Sequence, residues 1–165
     1  MVENLISAVS RVTKKAVIGA FNSSSEKAQA IVETTADLVK ATIAGAGDLT
    51  VAIEKRAGEI VSGSIEAAAE IGGDLFVTIK STVFGIVQAG ADVGADVGKA
   101  AVAATKAAIK AGGLAGTGVK ETTKEAVTGA VEAGDAVGAD ASKAVRDALA
   151  DSVDGAKEVI KPPAQ

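Results

Sequence analysis

Four stretches of the chain repeat one phrase: IEAAAEIGGDL (65–75), VQAGADVGADV (87–97), IKAGGLAGTGV (109–119) and VEAGDAVGADA (131–141). Their first residues stand 22 residues apart, and the same frame extends without insertion from Phe21 to Val153. A fixed internal period is the sequence signature of a repeat architecture. Twenty-two residues are two elevens, and an 11-residue pattern is typical of helices in a straight or slightly right-handed supercoil.

Placed on a helix of this pitch, the repeat separates into an apolar arc and a charged arc. The first residue of each copy lies on the apolar arc, and Glu70, Asp92 and Asp96 lie opposite. Alternation by two, which marks half-buried strands, is absent. We therefore expect an all-α protein built from one or more long amphipathic helices, with right-handed or nearly straight coiled-coil-like packing.

The 19 glycines of the chain leave two architectures open. Inside long helices they let another backbone approach closely, as in small-xxx-small packing. At helix ends they produce a stack of short helical hairpins, broken at Gly-Gly sites such as Gly72-Gly73. The helical phase survives across each of these sites, which favours the long helices. The predicted helix-packing interface comprises Ile65, Gly72, Val87, Gly90, Gly94, Val97, Ile109, Gly112, Gly116, Val119, Val131, Gly134 and Gly138.

Three segments follow from the pattern. Residues 1–20 have helical spacing and form a lead-in amphipathic helix, and residues 21–160 form the repeat array. Residues 161–165 form a flexible tail, because a helix does not continue through Pro162 and Pro163. The polar cluster from Asn22 to Glu26 either starts a new helix, with a serine at the N-cap, or lies on the exposed side of an unbroken helix.

Composition argues against several classes of function. The net charge of −4 disfavours nucleic acid as a partner, since binding to phosphates requires a basic surface. The chain has no Cys and no His, the usual ligands of zinc and iron. The glycines from Gly112 to Gly118 lack the Gly-Lys-Ser/Thr ending of a phosphate-binding loop. We expect no cofactor, no metal and no catalysis.

The longest uncharged run, Ser81 to Ala91, is about half of the roughly 20 residues that a membrane-spanning helix needs. The first residues lack the compact apolar segment of a signal peptide. The expected location is cytoplasmic, with peripheral membrane association as a further option.

The first functional hypothesis is a structural scaffold that self-associates through its apolar Gly/Ala/Val face into a rod, stalk, bundle or filament. One helix cannot bury its own apolar arc, so it folds back or forms a homo-oligomer. An unbroken helix over residues 21–160 would be about 210 Å long at a rise of about 1.5 Å per residue.

The second hypothesis rests on a resemblance. The segment KETTKEAVTGAV (120–131) resembles the lipid-binding repeats of synucleins, and the period is similar to that of late-embryogenesis-abundant and apolipoprotein repeats. The resemblance implies an amphipathic chain that becomes helical on a lipid surface or granule. Lysines do not line both edges of the apolar arc, however, and glycines interrupt it, which favours protein packing. A third option combines the two hypotheses: an oligomeric stalk that tethers a larger complex near a membrane.

Overall fold

The computed structural model describes residues 2–23 and 25–160, and within these ranges it contains helices and no strand. The all-α class is therefore confirmed. The helices are α1 (Val2–Ser23), α2 (Lys27–Ile43), α3 (Leu49–Ile71), α4 (Leu75–Asp92), α5 (Val97–Leu114), α6 (Val119–Val137), α7 (Ala139–Ser152) and α8 (Ala156–Ile160).

The helices break at the glycine sites, so the prediction of long helices that continue through the repeats is wrong. Short helices joined by turns are the alternative architecture, and α2, α4 and α5 each begin 22 residues before the next helix. Gly72, Gly94 and Gly116 adopt φ angles of +72°, +78° and +94°. This left-handed conformation ends a helix and favours glycine, which has no Cβ to clash with the following carbonyl.

After Gly72 and Gly94, an aspartate two residues later restarts the helix, whereas α6, after Gly116, has Gly118 as its N-cap residue. The Asp74 carboxylate accepts hydrogen bonds from the backbone N–H groups of Phe76 (2.9 Å) and Val77 (3.1 Å). The carboxylate of Asp96 accepts one from the N–H of Lys99 at 3.0 Å. An N-cap carboxylate satisfies orphan donors of the first turn and sits at the positive end of the helix dipole. Gly-x-Asp is thus a stop signal followed by a start signal.

The helices form two layers. Consecutive helices, joined by short turns, pack against each other, and each helix also packs against the helix two positions further along. We call α1, α3, α5 and α7 the odd layer, and α2, α4, α6 and α8 the even layer. Such stacking of helical hairpins is an α-solenoid, in which each unit contacts its near neighbours only.

The core lies between the two layers. Ile53 and Ile60 of α3 and Ile79 and Ile86 of α4 are fully buried, while α5 contributes mainly alanines. A second, smaller cluster joins α1, α2 and α3. It consists of Val17, Phe21, Ile31, Ala67 and Ala68. Small side chains on α5 let the layers approach closely, whereas α3 and α4 contribute bulky aliphatic side chains to the core.

A helix does restart at the polar cluster, because α1 ends at Ser23 and α2 begins at Lys27, with Glu26 rather than a serine at the N-cap. The predicted boundary between residues 20 and 21 falls inside α1. The predicted tail, residues 161–165, lies outside the described residues. Among the helices that are described, none is both long and apolar enough to cross a membrane.

Candidate interaction surfaces

Three glycines of the predicted interface, Gly90, Gly112 and Gly134, pack between consecutive helices. A Cβ added to Gly90 would lie 3.3 Å from the Cβ of Ala100, and one added to Gly134 would lie 3.1 Å from Cγ2 of Val145. A Cβ on Gly112 would clash with Thr122, 2.9 Å from its Cγ2. The predicted close approach occurs at these three positions, between helices of the same chain.

The other four glycines of the predicted interface have a different role. A Cβ added to Gly72, Gly94, Gly116 or Gly138 would meet no atom within 4 Å. These four glycines have positive φ angles and lie in the turns, so within the chain they do not contact a neighbouring helix, and their packing against a second copy stays a prediction. The turn conformation, rather than a neighbouring helix, requires glycine here.

The aliphatic members of the predicted interface are buried to different extents. Ile65 and Val87 belong to the core, with 3% and 0% of their surfaces exposed. Val97, Ile109 and Val131 are half-buried, and Val119 is 65% exposed. The predicted residues therefore form contacts within one chain and do not make up a single continuous face.

A third set of glycines, which the sequence interpretation missed, joins helices of the same layer. A Cβ on Gly63 of α3 would lie 2.5 Å from the carbonyl oxygen of Ser10 in α1. A Cβ on Gly85 of α4 would clash with Thr35 in α2, and one on Gly129 of α6 with the backbone of Lys80 in α4. Their spacing in multiples of 22 residues was a signal that could have revealed them.

Buried hydroxyl groups mostly bond to their own helix. Thr35 donates to the carbonyl of Ile31 at 2.8 Å, and Ser64 donates to that of Ile60 at 2.9 Å. In the part of the chain that the structure describes, the hydroxyls of Thr82 and Thr105 are buried without a hydrogen-bond partner. A buried polar group that makes no hydrogen bond opposes folding. These threonines are therefore packing residues.

Ion pairs link neighbouring helices within a layer. Lys14 of α1 pairs with Glu70 of α3 at 2.6 Å, and Lys40 of α2 pairs with Asp92 of α4 at 2.8 Å. Hydrogen bonding to these carboxylates raises the pKa of Lys14 and the pKa of Lys40. Glu70 and Asp92 occupy the same repeat position, and the next residue at that position is Leu114.

Another polar link connects α6 to α7. Arg146 donates to both carboxylate oxygens of Asp135, at 3.2 and 3.1 Å, and Ser142 donates to the same carboxylate at 2.5 Å. The hydrogen bond from Ser142, more than the guanidinium, holds the pKa of Asp135 below its ordinary value. A lowered pKa means that this contribution to stability is present above the ordinary pKa and is lost as the pH falls through the lowered one.

The junction of α3 and α5 differs from the others in the same layer. Ala107 stands where Gly63, Gly85 and Gly129 stand in other copies. A groove of about 460 Å³ opens here, lined by residues that include Lys55, Glu59, Lys110 and Leu114. Glu59 in the groove pairs with Arg56 of its own helix at 3.3 Å. We define the basic surface as Lys55, Lys106, Lys110 and Leu114.

The outer face of the even layer carries a second groove, of about 510 Å³, between α2, α4 and α6. Its apolar lining includes Phe76, Val77 and Phe84, and its carboxylates are Asp74, Glu125 and Glu132. Lys80 in this groove pairs with Glu132 at 3.3 Å. We define the acidic surface as Phe76, Val77, Phe84, Glu125 and Glu132. Two of the three phenylalanines of the chain belong to it.

Comparisons with known proteins supply no relative: no protein-family model, no curated protein and no solved structure matches the chain. Over residues 2–23 and 25–160, no group of three or more acidic side chains is arranged to hold a metal ion.

Proposed function

We propose that the chain is a non-catalytic helical-repeat scaffold that self-associates. One observation supports this proposal above all: the repeated features of the sequence serve the contacts between helices. The glycines at 90, 112 and 134 allow close contact between consecutive helices, and those at 63, 85 and 129 allow close contact between helices of one layer. A chain whose recurring residues maintain a regular array is suited to present extended surfaces to other proteins.

The surface for self-association differs from the apolar face that the sequence favoured. Ile65 and Val87 of that face are buried within the chain, so they are not accessible to a second copy in the folded array. Association between copies therefore uses the outer faces of the layers, where apolar side chains such as Leu114 and Val77 are exposed.

Burial of the apolar arc also bears on the lipid hypothesis. A helix that lies on a membrane inserts its apolar face among the lipid chains, whereas this chain uses that face to pack helix on helix. Packing within the array supports a scaffold over a lipid-surface coat or an apolar tethering stalk.

Light scattering combined with small-angle X-ray scattering over a concentration series tests the proposal. We expect a mass above the 16.1 kDa of one chain that increases with concentration. A mass of one chain at every concentration would contradict self-association. Circular dichroism supplies the control: we expect high helicity in buffer that anionic vesicles leave unchanged, whereas helix that forms only with vesicles would favour the lipid hypothesis.

A further inference from the structure

Leu114 is exposed where the two preceding copies of the repeat have a carboxylate. Glu70 and Asp92, two copies and one copy earlier, each pair with a lysine on the preceding helix of the same layer. Ser62 and Leu114 replace the Lys40–Asp92 pair at the α3–α5 junction, and 84% of Leu114 is exposed. An exposed leucine in place of an ion pair contributes nothing to the packing of its own chain, but it is suited to bury apolar area against a partner.

The lysines beside Leu114 are free to pair with a partner. The helix α5 carries Lys99, Lys106 and Lys110 and no acidic residue. All three are exposed, as is Lys55 across the groove, and within the described residues none of these four ammonium groups forms an ion pair. Other lysines of the array, such as Lys14 and Lys40, are paired. The basic surface therefore fits a partner that offers carboxylates around an apolar pocket.

The acidic surface of the same chain has this chemistry. Its groove brings three carboxylates together with a single lysine, Lys80, which is already paired. Between them lie Phe76, Phe84 and Val77, the last 39% exposed. An aromatic-lined groove of about 510 Å³ has room for one leucine side chain.

From this complementarity we propose that the basic surface of one copy docks onto the acidic surface of a second copy, with Leu114 entering the groove between Phe76 and Phe84. The inference rests on the self-association proposed above and specifies its geometry. Because the two surfaces lie on opposite layers, the contact is heterologous: a pair of copies retains one free basic surface and one free acidic surface. Heterologous contacts that do not close into a ring generate an open filament.

Charge exchange tests this pairing directly. Lys110→Glu and Glu125→Lys each place like charges across the contact, so each variant alone associates at least about tenfold more weakly than the wild type. The double variant Lys110→Glu/Glu125→Lys regains association, because Glu at 110 of each copy then faces Lys at 125 of the next. Leu114→Ser, at an exposed position, leaves the helicity unchanged and also weakens association at least about tenfold.

The matched control is Lys157→Glu, which makes the same change of net charge at an exposed position of α8 outside both surfaces. It leaves association unchanged. Analytical ultracentrifugation measures the association of each protein, and circular dichroism verifies that each is folded.

Three results would overturn the pairing. If the wild type associates and the variants associate equally well, the inference fails and the proposed function stands. If the double variant Lys110→Glu/Glu125→Lys stays dissociated, these two positions do not face each other. If the wild type has the mass of one chain at every concentration, the inference and the proposed function fail together.

Discussion

At the scale of single residues, glycine has three distinct roles in this chain. Gly94 adopts a positive φ angle in a turn. Gly90 allows α5 to pack closely against α4, and Gly85 allows α2 to do so. Gly58 has none of these roles: it lies in α3 with no atom within 4 Å of an added Cβ. The physical consequence of a substitution therefore depends on which role a given glycine has.

Gly85→Ala and Gly58→Ala should change stability in opposite directions. A Cβ at position 85 clashes with Thr35 and with the carbonyl of Val32, and the clash outweighs the better helix propensity of alanine by about 1–2 kcal/mol. At position 58 only the propensity changes, so the free energy of unfolding rises by about 0.5–1 kcal/mol. Denaturant unfolding of the two variants measures both values. An equal gain in both would show that α4 and α2 do not approach closely at Gly85.

The sequence alone could not separate these roles, because a glycine in a turn and one in a contact have the same chemistry. Gly90 and Gly94 lie one helical turn apart, so both fit the apolar arc of a continuous helix. The turns also preserve the phase in the middle of the chain: α4, α5 and α6 begin 22 residues apart, and equal units maintain the pattern that a long helix would show.

At the scale of the helix, a glycine with positive φ follows each of α2 to α7, and an aspartate caps the start of α3, α4 and α5. The sequence predicted the helical class and the buried positions Ile65 and Val87, because apolar periodicity reports which side of a helix faces the core. It also contained the stop and start signals in Gly94-Ala95-Asp96, a left-handed glycine followed by an N-cap residue. The apolar periodicity continues across those signals, however, and it favoured an unbroken helix.

Removal of an N-cap tests the start signal. Asp74→Ala deletes the acceptor for the N–H groups of Phe76 and Val77 and should lower the free energy of unfolding by about 0.5–2 kcal/mol. Asp74→Asn, the matched control, retains an oxygen acceptor and should lose less. Thermal or urea unfolding provides the comparison. Equal losses in the two variants would mean that the charge of Asp74, rather than its hydrogen bonds, stabilises α4.

At the scale of the molecule, each helix is stabilised by its neighbours in the stack. The helix α4 contacts α2 on one side within its layer and α6 on the other, whereas α2 contacts only α4 there. In a solenoid, stability is close to a sum of unit and nearest-neighbour contributions. Units at the ends therefore open more readily than units in the middle.

Hydrogen exchange measures this gradient. The helices α2 and α4 have similar lengths, 17 and 18 residues, and lie in the same layer, so they form a matched pair. We expect the core amides of α4 to exchange at least about tenfold more slowly than those of α2. Equal protection in the two helices would indicate one cooperative unit in place of a gradient.

The two-layer arrangement also imposes a parity on the length of the chain. The same repeat position serves both layers, since Gly63 lies in the odd layer while Gly85 and Gly129 lie in the even layer. Insertion of a single 22-residue unit would satisfy the packing at that position but would transfer every later helix to the opposite layer. Faces that carry different charges would then change sides. Growth that keeps each face intact therefore adds helices two at a time.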